Sequence, residues 1–363
     1  MSTVVAQIDR RHAASTLGGV RYDTLVAALC TLFLGGAYLD VWAHVHVPEL
    51  ETFFTPWHAV FYAGFFAVAA VTTGPLLRRQ ARGTRWFHAL PAGYDWSLIG
   101  VLVFVLGGVL DMLWHLVFGV EADVEALLSP SHLLLASGAA LFLTGPLRAG
   151  WHRDDRIAPW PAIVSLGLLL SIFSFFTQYA HHFGRPWPAA GNRPTAAVFS
   201  TVAPDPVFRN AEIQNLYVAH GFGVGAVLLQ AVLLSAIVLL AVRRWGPRLP
   251  IGAFTLIFGL NALLIGAARD QLHLVPGAIA AGVTADVMLR IVRPSLTRSR
   301  SLRWFALAVP GFYFALYFTN IALTRGVWWS VPLWSGAVVL AAVVGWLASW
   351  LVAPPAIPGE SRP

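Results

Sequence analysis

No lysine occurs anywhere in the 363 residues, and charged side chains of every kind make up only 11% of the chain. A soluble domain carries about a quarter charged residues, so there are too few polar groups here to cover the surface of an ordinary water-exposed protein. Cysteine is almost absent as well. With Cys30 alone, neither an intrachain disulfide nor a thiolate metal site can form, and any metal must be held by nitrogen and oxygen. All 24 basic residues are arginine, a bias that carries no chemical information.

What the chain has instead is 57% hydrophobic residues and a mean hydropathy of +0.68, in apolar stretches of about twenty residues closed by arginine or histidine. The net charge of +7 is spread over short clusters between those stretches, not over one basic face. Its role is therefore topological, and no nucleic-acid partner is expected. The partner is the lipid bilayer.

Residues 1–23 read as a polar cytoplasmic tail with Arg10, Arg11 and Arg21. The apolar run that follows is longer than a signal-peptide core and ends in Asp40 and His44, which predicts a retained first helix. Further spans are expected near 56–77, 96–115, 130–147, 160–180, 216–242, 251–268, 275–292, 304–323 and 331–352. The fold class is thus an all-α transmembrane bundle of about ten spans. Residues 24–147 form a four-helix half, 148–352 the additional helices with a long loop over 183–211, and 353–363 a disordered tail. Nineteen of the 24 arginines fall on one side of this arrangement and five on the other. That places both termini in the cytoplasm of a multi-pass cell-membrane protein. Nine of the twelve histidines then lie on the arginine-poor, extracytoplasmic side.

The most specific signal is an internal repeat. Leu39-Asp40-x-x-x-His44, Glu51, Pro56-x-His58 and Gly64 recur as Leu110-Asp111-x-x-x-His115, Glu125, Pro130-x-His132 and Gly138. Asp and His four apart at a helix end share a face. Proline opens the next helix, so its histidine returns to the same level in an antiparallel hairpin. Each arm offers one carboxylate and two imidazoles, a set that suits copper, zinc or iron(II). Ionisable residues placed in membrane spans tend to be functional. Glu51 and Glu125 read as outer partners or helix-dipole residues. A weaker third set is Gln178-x-x-x-His182 with Glu212 and His220, where an amide replaces the carboxylate.

Over residues 25–145 these motifs resemble a membrane-embedded, metal-binding component of the copper membrane monooxygenases, the particulate methane and ammonia monooxygenase family. In that family an Asp-x-x-x-His helix end and a Pro-x-His helix start build the metal sites. The resemblance implies copper at Asp40, His44 and His58 and at Asp111, His115 and His132. It also implies partner subunits of a membrane complex and a small apolar substrate reached through the bilayer, hence a monooxygenase-like oxidoreductase. This chain departs from the family pattern in carrying Asp111 where Asn is common, and in the longer stretch between His115 and His132. The ligand types by themselves leave other classes open: a zinc-dependent extracytoplasmic hydrolase or transferase, a metal or solute transporter, or a bis-histidine haem protein.

Overall fold

The computed structural model describes residues 18–47, 55–80, 90–119, 124–194 and 211–355. It is all-helical apart from two isolated β-bridges. The first of two compact units, Met1–Phe176, contains α1 (Val20–His46), α2 (Pro56–Gln80), α3 (Asp95–Phe118), the single turn α4 (Glu125–Leu128), α5 (Pro130–Leu143), α6 (Gly145–His152) and α7 (Trp160–Phe176). The second, Thr177–Pro363, contains α8 (Ala211–Arg244), α9 (Ala253–Ala268), α10 (Val275–Val292), α11 (Ser299–Thr324) and α12 (Val331–Val352).

Among the described residues eight helical segments are long and apolar enough to cross a membrane, α5 and α6 counting as one. The protein is therefore a polytopic membrane protein. Two of the expected ten spans are shorter: α7 has 17 residues and α9 has 16. Exposed Leu102, Val105, Leu106 and Val109 on α3 are what lipid contact requires of a helix that is apolar all round.

In the first unit the helices pair as two hairpins, α1 with α2 and α3 with α5, and glycine sets how closely each pair approaches. A Cβ on Gly64 would stand 2.6 Å from the Phe33 Cα, and one on Gly36 would stand 2.8 Å from the Phe61 Cα. In the other hairpin a Cβ on Gly138 would meet the Phe104 backbone nitrogen at 2.7 Å. Phe33 and Phe104 each lie seven residues before the aspartate of their arm, and their rings meet edge to face at 5.4 Å. Helix α7 joins this core where the buried Tyr38 hydroxyl donates to the Ser171 carbonyl at 2.7 Å.

At the end of α1 away from Asp40, the buried Asp23 carboxylate pairs with Arg153 at 2.5 Å and accepts the Tyr94 hydroxyl at 2.7 Å. Nearby, Arg148 donates to the Gly93 and Leu141 carbonyls and to the Ser97 and Thr144 hydroxyls. These arginines tie the ends of α1, α3 and α5 to the segment that follows α6.

In the second unit α9 to α12 run as successive antiparallel helices. Asp286 and Arg290, which stand one turn apart in α10 and read from sequence as an intrahelical pair, do separate work. Asp286 accepts from the Phe254 and Thr255 backbone N–H groups at 3.0 Å and from the Thr255 hydroxyl at 2.7 Å, which caps the start of α9. Arg290 donates to the Pro247 and Leu249 carbonyls. The loop expected over 183–211 is ordered in its first part. Ala190 and Trp328 donate to the Gly326 and Pro188 carbonyls, fastening the stretch to the α11–α12 turn. Residues 195–210 lie outside the described residues, as do 1–17 of the expected N-terminal tail and 356–363 of the C-terminal one.

Replacing Gly64 or Gly138 by Val should force its hairpin apart. Overpacking of this kind costs about 1–3 kcal/mol, so each variant should unfold at lower temperature in detergent. A melting point equal to the parent's would show that these glycines do not set the helix approach.

Candidate metal centre

The second hairpin brings Asp111, His115 and His132 together. One ligand atom from each lies within 4.8 Å of the others. Two donors on one ion, at bonds of about 2.0–2.2 Å, can stand at most about 4.4 Å apart, so the set closes on a metal with side-chain shifts of a few tenths of an ångström. His115 Nε2 is 3.5 Å from Asp111 Oδ2, and His132 Nδ1 is 3.3 Å from Asp111 Oδ1. Asp111 is only 6% exposed. Helix α3 ends just past His115 at Gly119, whose φ of 82° suits glycine. The Gly119 carbonyl lies 3.1 Å from His115 Nδ1. A carbonyl can only accept, so Nδ1 carries the proton and Nε2 faces the carboxylate with its lone pair.

The entry to α5 supplies groups that the motif alone did not single out. Ser129, the N-cap ahead of Pro130, accepts the His132 backbone N–H at 3.4 Å, and its hydroxyl lies 2.6 Å from His132 Nδ1. Ser131 donates to Asp111 Oδ1 at 2.8 Å. The hydroxyl three residues before the histidine was legible as an N-cap; its contact with the ring was not. Glu125 opens the one-turn α4 and is exposed, and it is not one of the three converging residues.

The first hairpin repeats the arrangement with differences. His44 Nδ1 is bound to the Asp40 carbonyl at 2.9 Å and stands 3.6 Å from Asp40 Oδ2, while His58 Nδ1 is 3.2 Å from Asp40 Oδ1. Thr55 takes the place of Ser129, 2.9 Å from His58 Nδ1. At the position of Ser131 stands Trp57, and no hydrogen bond reaches the buried Asp40 Oδ1. Glu51 lies outside the described residues.

Asp40, His58, Asp111 and His132 line one cavity of about 130 Å³. Its remaining wall is mostly aromatic and aliphatic, including Phe33, Phe61, Phe104, Phe175 and Leu135, with Tyr62 as the one phenol. A cavity of comparable size lined by apolar side chains stays dry and holds a small hydrocarbon. The two acid and imidazole sets thus share one small, largely apolar chamber.

The third set is partnered differently. The His182 ring stacks on His181 with centroids 4.5 Å apart. Its Nε2 lies 3.2 Å from the Tyr313 hydroxyl, and its carbonyl accepts from Tyr317 at 2.9 Å. His220 instead stacks on Trp328 at 4.8 Å. Gln178 is buried with no hydrogen bond to Oε1. Glu212 lies in α8, and its side chain is outside the described residues. Among the described residues only Asp111, His115 and His132 form a cluster of three metal-type ligands.

No family model matches the chain, and no curated protein or solved structure matches it.

His181 is 2% exposed and accepts the Phe183 N–H on Nδ1 at 3.0 Å. Burial pushes it down to about 3, and pushes His182 well below the ordinary imidazole range with help from His181. Between about pH 6.5 and 3 the unfolded chain therefore takes up a proton that folded His181 refuses. Stability should be fully present above pH 6.5 and fall as the pH is lowered, by about 1.4 kcal/mol per pH unit for each such histidine. Melting in detergent from pH 7 to 4 checks this, and His181→Asn should flatten the slope. An equal slope in parent and variant would exclude His181 as the source.

Proposed function

We propose that this protein is a membrane metalloprotein with copper held by Asp111, His115 and His132, acting as a monooxygenase-like oxidoreductase or as one component of such a complex. The observation that carries the reading is the convergence of those three side chains on a buried, largely apolar cavity. Two imidazoles and a carboxylate fit copper(II), and equally zinc or iron(II), while the lack of sulfur ligands disfavours a soft copper(I) carrier site. The resemblance of residues 25–145 to the copper membrane monooxygenases favours copper among these. Bound there, copper would supply one-electron redox chemistry toward dioxygen. The protein's own part is to hold the ion, keep bulk water away from it and admit a small apolar molecule through the aromatic wall.

The arginine asymmetry supports placing the centre near the extracytoplasmic face, with both termini in the cytoplasm. The same resemblance supports a complex with partner subunits that deliver electrons. The apolar cavity speaks against a zinc hydrolase, whose polar substrate would need hydrogen-bonding groups along that wall. The transporter reading lacks a polar route. Of the acids deep in the bundle, Asp23 is neutralised by Arg153 and Asp286 caps α9.

Metal content of the full-length protein, purified in detergent after copper and zinc supplementation, tests the assignment. The parent should carry near-stoichiometric copper, and Asp111→Ala and His132→Ala should each lose most of it. Zinc in its place would transfer the site to hydrolytic chemistry, and no metal in the parent would overturn the reading. A second variant separates metal from substrate. A Cβ on Gly108 would meet nothing within 4 Å, and Gly108 lines the cavity. Gly108→Leu should therefore fill the chamber, keep the copper, and abolish binding of a small hydrocarbon or xenon probe. Probe binding unchanged in Gly108→Leu would show that the chamber is not the ligand site.

A further inference from the structure

The hydroxyls at the entry to α5 form a chain whose direction is fixed by what each group is able to donate. Ser131 Oγ lies 2.8 Å from Asp111 Oδ1; a carboxylate oxygen accepts, so the Ser131 proton is spent there. The contact of 3.2 Å between the Ser129 and Ser131 hydroxyls must then use the Ser129 proton. Ser129 Oγ already accepts the His132 backbone N–H, and with its own proton committed it can only accept from His132 Nδ1, 2.6 Å away. Nδ1 is therefore the protonated nitrogen. The 3.3 Å approach of that same Nδ1 to Asp111 Oδ1 is attractive only in this tautomer.

We propose that Ser129 and Ser131 are positioning residues of the metal centre: a one-way hydrogen-bond relay from His132 Nδ1 through both hydroxyls to Asp111 Oδ1 locks His132 in the tautomer whose Nε2 is the ligating nitrogen. The inference rests on the metal-site reading above. His115 reaches the same state by a different route, its Nδ1 held by the Gly119 carbonyl. The relay also occupies Asp111 Oδ1, which leaves Oδ2, the oxygen facing His115 Nε2, for the ion. The first hairpin lacks the second link. Trp57 replaces Ser131, and Asp40 Oδ1 has no hydrogen bond, so the Asp111 set is the pre-organised one of the two and the tighter binder. Outer partners of metal-binding histidines are typically worth 10- to 100-fold in affinity.

The test uses the full chain in detergent, labelled with ¹⁵N-histidine. In the metal-free parent the His132 signal, identified by its loss in His132→Gln, should report a protonated Nδ1. Ser131→Ala, which leaves the N-cap of α5 intact, should give mixed tautomers and weaken Co²⁺ binding 10- to 100-fold with an altered visible spectrum. Ser129→Ala should do the same and Ser129→Thr should restore both. Trp57→Ser should strengthen Co²⁺ binding at the first hairpin when measured in a His132→Ala background. A parent His132 protonated on Nε2 overturns the relay. So does Ser131→Ala with unchanged tautomer and unchanged affinity while the parent binds Co²⁺. A parent that binds no Co²⁺ overturns the metal reading and the relay's role together.

Discussion

Everything at the centre depends on how closely two helices can approach. An Asp-x-x-x-His pair at the end of one helix meets a histidine at the start of the next only if the axes run near enough for short side chains to span the gap. Gly64 against the Phe33 backbone and Gly138 against the Phe104 backbone provide that approach. In a membrane, where lipid removes most of the hydrophobic drive for helix pairing, small residues at the contact are what permits tight packing. The same contacts turn Phe33 and Phe104 toward each other, so the geometry that closes each ligand set also builds the aromatic wall between them.

The two hairpins are copies in plan and unequal in detail. Both place a hydroxyl N-cap, Thr55 or Ser129, beside the Nδ1 of the histidine three residues on. Both anchor the other histidine on a main-chain carbonyl, Asp40 for His44 and Gly119 for His115. They part at the residue between proline and histidine. Serine there connects imidazole to carboxylate; tryptophan does not. A single position thus divides a fully connected polar network from a partly connected one, and in a low-dielectric setting the unconnected oxygen is costly unless something else arrives to satisfy it.

The sequence carried the long apolar helices, the internal repeat and the convergence of its second arm, because period, spacing and helix-start chemistry are local properties. Gly64 and Gly138 were visible as members of the repeat; their reason, contact with a phenylalanine seven residues ahead of each aspartate, is tertiary and was not. Ser129 and Ser131 looked like ordinary helix-start residues, since nothing in Ser-Pro-Ser-His says where the hydroxyls point. Asp286 misled for the same reason: an acid four residues before an arginine reads as a pair, yet a helix N-terminus from another part of the chain offered it three donors. In the third set, spacing brought Gln178 and His182 near each other in sequence, but the segment leaves the helix at Thr177. Its histidines are then governed by the tyrosines and tryptophans that happen to surround them.

The buried carboxylates show which end of the first unit is built to receive something. Asp23 faces the permanent charge of Arg153 and a tyrosine hydroxyl, and a buried acid so matched has no call on a further cation. Asp286, in the second unit, has the N-terminal amides of α9, whose partial positive charge does the same service. Asp40 and Asp111 are different. The groups set against them are imidazoles and, for Asp111, a serine hydroxyl, donors that orient a carboxylate without supplying a fixed positive charge. Two such sites facing one small chamber concentrate uncompensated negative charge where solvent is scarce. A divalent ion bound by one carboxylate and two neutral imidazoles balances that charge and satisfies the remaining lone pairs in a single step, which neither a proton nor a water molecule can do.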